Sequence, residues 1–201
     1  VMNLEDVTVE RLPLVTLGGR VIDGELDPVS AEVIGMHAVV YEKNPDMGAV
    51  VHTHAPYATA YAVADRAIEC WYEGLARFGL TDPIPVAKYG PRGSRESVTN
   101  IADAMNERTR GVLLQNHGVL TFEHGCAGQG MALDLLEFDG GEPAGLVQNV
   151  AGDDHRADVV HGRGIDQEIA IVVGQAQMAA DGRRDLAHAH DVLTIATAAM
   201  V

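Results

Sequence analysis

The segment Gly48-Ala49-Val50-Val51-His52-Thr53-His54 constrains this chain more than any other. A short β-branched run reads as a buried strand, and strand side chains alternate between faces. His52 and His54 therefore point the same way, roughly 7 Å apart at Cα. That spacing lets two imidazoles converge on one ion with metal–nitrogen bonds of about 2.0–2.1 Å. A third histidine, His117, lies in a second strand-like run, residues 111–120, where Gly118 leaves the backbone beside it free to turn. Two strand-borne histidines and one at a strand–glycine corner predict a three-histidine metal site.

The surrounding chain alternates α and β signals. Residues 14–22, with Gly18-Gly19 in the middle, read as a small hairpin. Ser30 caps a helix expected over residues 31–43, with Val33, Met36, His37, Val40 and Tyr41 as its apolar stripe. Asn44-Pro45 ends it. After the histidine strand, residues 49–53, Pro56 opens a helix through Val63. Residues 84–88 read as a strand. A helix from Ser94 to about Asn106 follows, with Ser94 as N-cap and Glu96 in its first turn. Strands at 112–114 and 119–122 complete a compact α/β layer with a small, largely antiparallel sheet.

Composition narrows the function. A chain of 201 residues with 47% hydrophobic content fits a globular protein with an ample core. No apolar stretch approaches the roughly 18–20 residues of a membrane span, and the start does not read as a signal peptide. Cys70 and Cys126 form no metal or disulfide pattern, so a reducing cytoplasm is the expected location. A net charge of −15 argues against nucleic acid and anionic membranes as partners. It also means that an anionic substrate needs local compensation, which a divalent metal supplies.

Beyond Phe138 the chain has no aromatic residue, lysine or serine. Residues 165–180 and 186–200 are expected to be helical, with poorly defined faces. His188-Ala189-His190 repeats the H-x-H spacing, but on a helix its two rings would sit about 200° apart. The expected organisation is one domain over residues 1–138 followed by an atypical segment, 139–201, helical or poorly ordered.

The strings PDMGAVVHTHAPYATAYAV (residues 45–63) and GVLLQNHGVLTF (residues 111–122) together closely resemble the class II aldolase/adducin family. Tyr89-Gly90-Pro91-Arg92-Gly93-Ser94 resembles that family's glycine–serine helix start. The resemblance spans roughly residues 4–124. It implies a three-layer α/β fold, a central, mainly antiparallel sheet flanked by helices, and a homotetramer with active sites at subunit interfaces. It also implies a divalent metal, Zn2+ first with Mn2+, Co2+ or Mg2+ as alternatives, on His52, His54 and His117.

In the family, the catalytic acid lies on the helix before the metal strand, in a serine–serine–glutamate or aspartate context. Counted back from His37, its place holds Val33, with Glu32 one residue earlier. Glu32 is the expected acid; the plainer reading is a first-turn glutamate favoured by the helix dipole. Ser30 matches one of the substrate-contacting serines, and Ala31 replaces the other. Tyr72 lies near an aromatic site position, where a core aromatic is an equally good reading. Arg92-Gly93-Ser94-Arg95 forms a candidate anion corner; the plainer reading is that Arg92 and Arg95 solvate a surface turn or pair with a neighbouring subunit. The family's N-terminal helix and Thr-Gly-Asn loop, which help bind substrate phosphate, are not matched.

The resemblance implies a lyase of carbohydrate metabolism that cleaves a small sugar phosphate or hydroxy-keto acid. A metal would stabilise the enediolate left by carbon–carbon cleavage. The competing reading is a non-catalytic family remnant or adducin-like oligomer. A cupin-type H-x-H enzyme is disfavoured because no glutamate follows His54 at the short spacing that family uses.

Overall fold

The computed structural model describes residues 12–71, 73–77 and 79–124, and the backbone of residues 168–173 and 192–199. Two short strands, β1 (Leu14–Thr16) and β2 (Val21–Asp23), form the expected hairpin. Its turn places Gly19 at φ +81°, where an L side chain would be strained.

Helix α1 (Pro28–Lys43) begins three residues earlier than the sequence indicated. Asp27, not Ser30, is its N-cap: the Asp27 carboxylate accepts from Val29 N at 2.8 Å, and Pro28 takes the first position, where no N–H is needed. Ser30 consequently lies inside the helix and is buried, and Glu32 stands beyond the first turn. The buried face is also wider than the expected stripe, adding Ile34, Ala38 and Val39. α1 packs against both the sheet and α4 (Arg95–Ala104), so two of its faces are covered. Gly35 permits the close α1–α4 approach, since a Cβ there would lie 3.0 Å from a Val98 methyl.

The remaining elements are β3 (Ala49–Thr53), α2 (Pro56–Val63), α3 (Glu73–Arg77), β4 (Val86–Ala87), β5 (Gly111–Leu114), β6 (Gly118–Glu123), β7 (Glu168–Val173) and β8 (Val192–Ala199). They form one sheet in the order β2-β1-β8-β7-β3-β6-β5-β4. Among the described residues every strand pairing is antiparallel except β4 with β5, whose parallel connection runs through α4. The fold is thus α/β with a mainly antiparallel sheet, as expected.

Residues 168–173 and 192–199 correct the expectation of helices in the last third. Ile169, Ile171, Val172 and Val173, then Val192, Thr194, Ile195 and Thr197, are β-branched and favour extended backbone. β7 pairs with β3, and β8 joins β7 to β1. The Ala- and Gly-rich sequence around them obscured that signal. His188-Ala189-His190 lies outside the described residues, as does Cys126.

Among the described residues, two apolar clusters pack on the sheet. One joins Val33, Ile34, Met36 and Val40 of α1 to Val50, Leu120 and Phe122. The other seats Ala58 and Ala62 of α2 and Leu75 of α3 against Leu113 and Val119. Alternation along β3 puts Val50, His52 and His54 on the α1 side, so the histidines emerge at the end of that core.

Candidate metal centre

His52, His54 and His117 come together as predicted, with one ring nitrogen from each within 4.8 Å of the others. Strand alternation aligns the first two. His117 arrives from the turn between β5 and β6, where its N–H bonds Leu114 O at 2.9 Å. Ring centroids are 4.8 Å apart for His52–His54, 4.7 Å for His52–His117 and 5.1 Å for His54–His117.

The turn works differently from the sequence reading. Asn116, at φ +59°, takes the left-handed conformation, while Gly118 has no positive φ. Gly118 is needed for space. A Cβ there would lie 2.5 Å from Thr53 O, 2.6 Å from His54 Cδ2 and 3.2 Å from His52 Cε1. Gly118→Ala is therefore expected to cost about 1–3 kcal/mol, as overpacking does. The measurement is a urea midpoint alongside bound metal; unchanged values for both would contradict this account of the turn.

The donor set fits a divalent ion. His52 Nδ1 lies 3.1 Å from Val119 O, an arrangement in which Nδ1–H donates and Nε2 keeps its lone pair. That Nε2 is 3.0 Å from His54 Nε2. Two nitrogens on a tetrahedral ion would be about 3.3 Å apart. Burial, then the neighbouring His117, His54 and His37, holds the His52 pKa well below its ordinary value; the Val119 contact opposes this. A neutral imidazole is the form that ligates.

Behind His52 lies His37, which the sequence reading placed only in the apolar stripe. It is fully buried, and burial lowers its pKa to about 3. The signal available in sequence was a histidine inside that stripe, pointing to the same core as His52.

These shifts set the pH dependence of stability. The unfolded histidines take up protons near pH 6.5, whereas the folded state holds His37 neutral to about 3. The unfolded state therefore binds more protons in that window, and stability falls as pH decreases through it. Urea midpoints measured from about pH 7.5 down to about pH 4 should decline. A flat profile would contradict a neutral, buried His37.

The other expected residues assemble elsewhere, where the start of α1 meets the start of α4. Arg92 Nε is 3.2 Å from Glu32 Oε2, and its Nη2 donates to Val29 O at 3.4 Å. Gly93, at φ +73°, sits against Glu32, 3.5 Å from its Cβ measured from an added Cβ. Ser94 caps α4 by accepting from Ser97 N at 3.1 Å. Helical rotation of about 100° per residue puts Glu32 on the Gly35 face toward α4, whereas Val33 shares the His37 face toward the sheet. Glu32 Cα stands about 7.5 Å along the helix axis from His37 Cα. Tyr72 lies outside the described residues.

Within the described residues, then, an α/β scaffold gathers three histidines able to hold one metal ion. Residues 1–128 match the family described as Class II Aldolase and Adducin N-terminal domain, and the chain belongs to that family. It is 30% identical over 120 residues to an L-fuculose phosphate aldolase from Methanococcus maripaludis, covering 60% of this chain and 59% of that one. It is 37% identical over 87 residues to the Escherichia coli L-fuculose phosphate aldolase, covering 43% and 40% respectively. The matched stretch thus spans about half the length of these relatives. Among solved structures, an L-fuculose 1-phosphate aldolase matches with TM-score 0.58 at 26% identity, over 72% of this chain and 70% of that one. YgbL from Klebsiella pneumoniae matches with TM-score 0.56 at 25% identity, over 67% and 65%. No described helix is long and apolar enough to cross a membrane.

Proposed function

We propose that this chain is a metal-dependent lyase that cleaves a small sugar phosphate or hydroxy-keto acid by retro-aldol chemistry. The observation that carries this reading is the convergence of His52, His54 and His117, with Val119 O orienting the most buried ring. These three hold a divalent ion, Zn2+ in the first instance, with Mn2+, Co2+ and Mg2+ as alternatives. When bound, the ion supplies positive charge against the negative charge that carbon–carbon cleavage leaves on substrate oxygens.

The chain's own residues do the rest. Glu32 moves the proton, and Arg92 orients its carboxylate. An exposed pair of this kind is worth at most about 1 kcal/mol, so Glu32 leaves Arg92 at little cost when substrate arrives. Ser30, Arg92, Gly93 and Ser94 receive the substrate's anionic group, with α4 contributing its N-terminal N–H groups. Tyr72 is the second proton-transfer candidate. The working form is a cytoplasmic homotetramer in carbohydrate metabolism.

One observation favours the alternative, a non-catalytic family member. Val33 occupies the helix face that His37 carries toward the metal strand, and Glu32 lies on the adjacent face. The deciding assay is cleavage of L-fuculose 1-phosphate and 5-deoxyribulose 1-phosphate, for which relatives are named. Activity lost to a chelator and restored by Zn2+ supports the lyase. Metal binding without cleavage of any ketose phosphate supports the alternative.

The anion corner has its own test. Arg92→Ala is expected to raise KM for a ketose phosphate about tenfold or more, the loss of one charge-assisted contact. Calorimetric titration with the phosphate and its unphosphorylated sugar checks the same point. Equal affinity for the two would remove the phosphate site and favour an unphosphorylated substrate.

A further inference from the structure

We propose that His37 is a positioning residue of the histidine cluster, its buried imidazole standing edge-on against the ligand His52. The inference rests on the reading that the cluster binds a divalent ion.

His37 is fully buried, and among the described residues neither Nδ1 nor Nε2 has a hydrogen-bond partner. A neutral imidazole carries one donor and one acceptor, so both capacities go unmet. Buried polar groups in native proteins are nearly always satisfied, and an orphan calls for an explanation. Packing does not supply one. The same face of α1 carries buried Val33, Val40 and Tyr41, where an apolar side chain of similar volume would avoid the desolvation cost.

Position does supply one. The His37 ring stands perpendicular to His52, at 89°, with centroids 6.4 Å apart. His52 is thus held by Val119 O at one nitrogen and by the His37 ring at its side, while its free nitrogen faces the cluster. A polar ring placed edge-on beside a ligand, at a cost in stability, is an outer-shell device that fixes the ligand's orientation.

The test compares wild type with His37→Leu and His37→Gln. Each is dialysed against a chelator for thermal melting, then titrated with Zn2+ against a chromophoric chelator and with Co2+ for its d–d absorption. His37→Leu should melt higher than wild type when metal-free, yet bind Zn2+ about 10–100-fold more weakly and shift the Co2+ spectrum. His37→Gln should recover part of that affinity. Opposite movements of the two readouts are what a merely structural histidine would not produce. Equal Zn2+ affinity of wild type and His37→Leu overturns the proposal. So does a His37→Leu variant that melts lower, or fails to fold, without metal. If wild type itself binds no Zn2+, the metal reading falls and this inference with it, an outcome distinct from the other two.

Discussion

Replacing His54 by alanine is expected to strip the cluster of metal, taking elemental content from about one ion per chain to near none. Three nitrogens lie within 4.8 Å, and His54 supplies the one facing His52 Nε2 at 3.0 Å. Two imidazoles remain in the variant, one short of the three protein ligands that catalytic zinc sites use. The loss should exceed the roughly 10–100-fold that outer-shell changes cost. The fold should survive, because His54 lies just beyond β3 and takes no part in the β3–β6 ladder. Elemental analysis with a circular-dichroism melt checks both halves. Equal metal in wild type and variant would end the three-histidine reading.

Glu32→Gln is expected to lower turnover by roughly 10²–10⁴-fold if Glu32 is the proton-transfer group. Stability should change little, since the carboxylate is exposed and its pair with Arg92 is of the surface kind. Gln keeps the volume and removes only the titrating function. The measurement is kcat on the cleaved ketose phosphate beside a urea midpoint. Full activity in the variant would exclude Glu32 and move attention to Tyr72. Restored or raised activity on placing the acid one residue later, in Val33→Glu, would show that the His37 face is where the chemistry wants it.

The parts legible in sequence were those whose signal is local. β3 and α2 fall where predicted, because a β-branched run and a Pro56 helix start are decided within a few residues. Ser94 caps α4 as its position before Arg95 indicated. The start of α1 was misplaced because Asp27 and Ser30 are both good caps, and Pro28 decides between them. α3, five residues long, is too short for periodicity to register. β7 and β8 pair with each other, but they stayed hidden because the strands that seat them in the sheet, β3 and β1, are more than a hundred residues away. At the site, the histidine spacing announced itself. The isolation of His37 did not, since a buried nitrogen without a partner can be recognised only from its surroundings.

The crowding at Gly118 reaches further than one turn. Because any side chain at that position would meet Thr53 O and both strand-borne rings, only bare main chain fits beside the imidazoles. The geometry of the three rings is thereby tied to the pairing of β3 with β6. The Arg92–Glu32 corner instead joins α1 to the turn before α4 mainly through exposed side chains. If that corner binds substrate and the cluster a metal, as proposed, laboratory evolution should find preference for new substrates by altering the corner, and should rarely find preference for a larger cation. Enlarging the gap would require sliding β6 along β3, a step that swaps the faces of every residue on the strand.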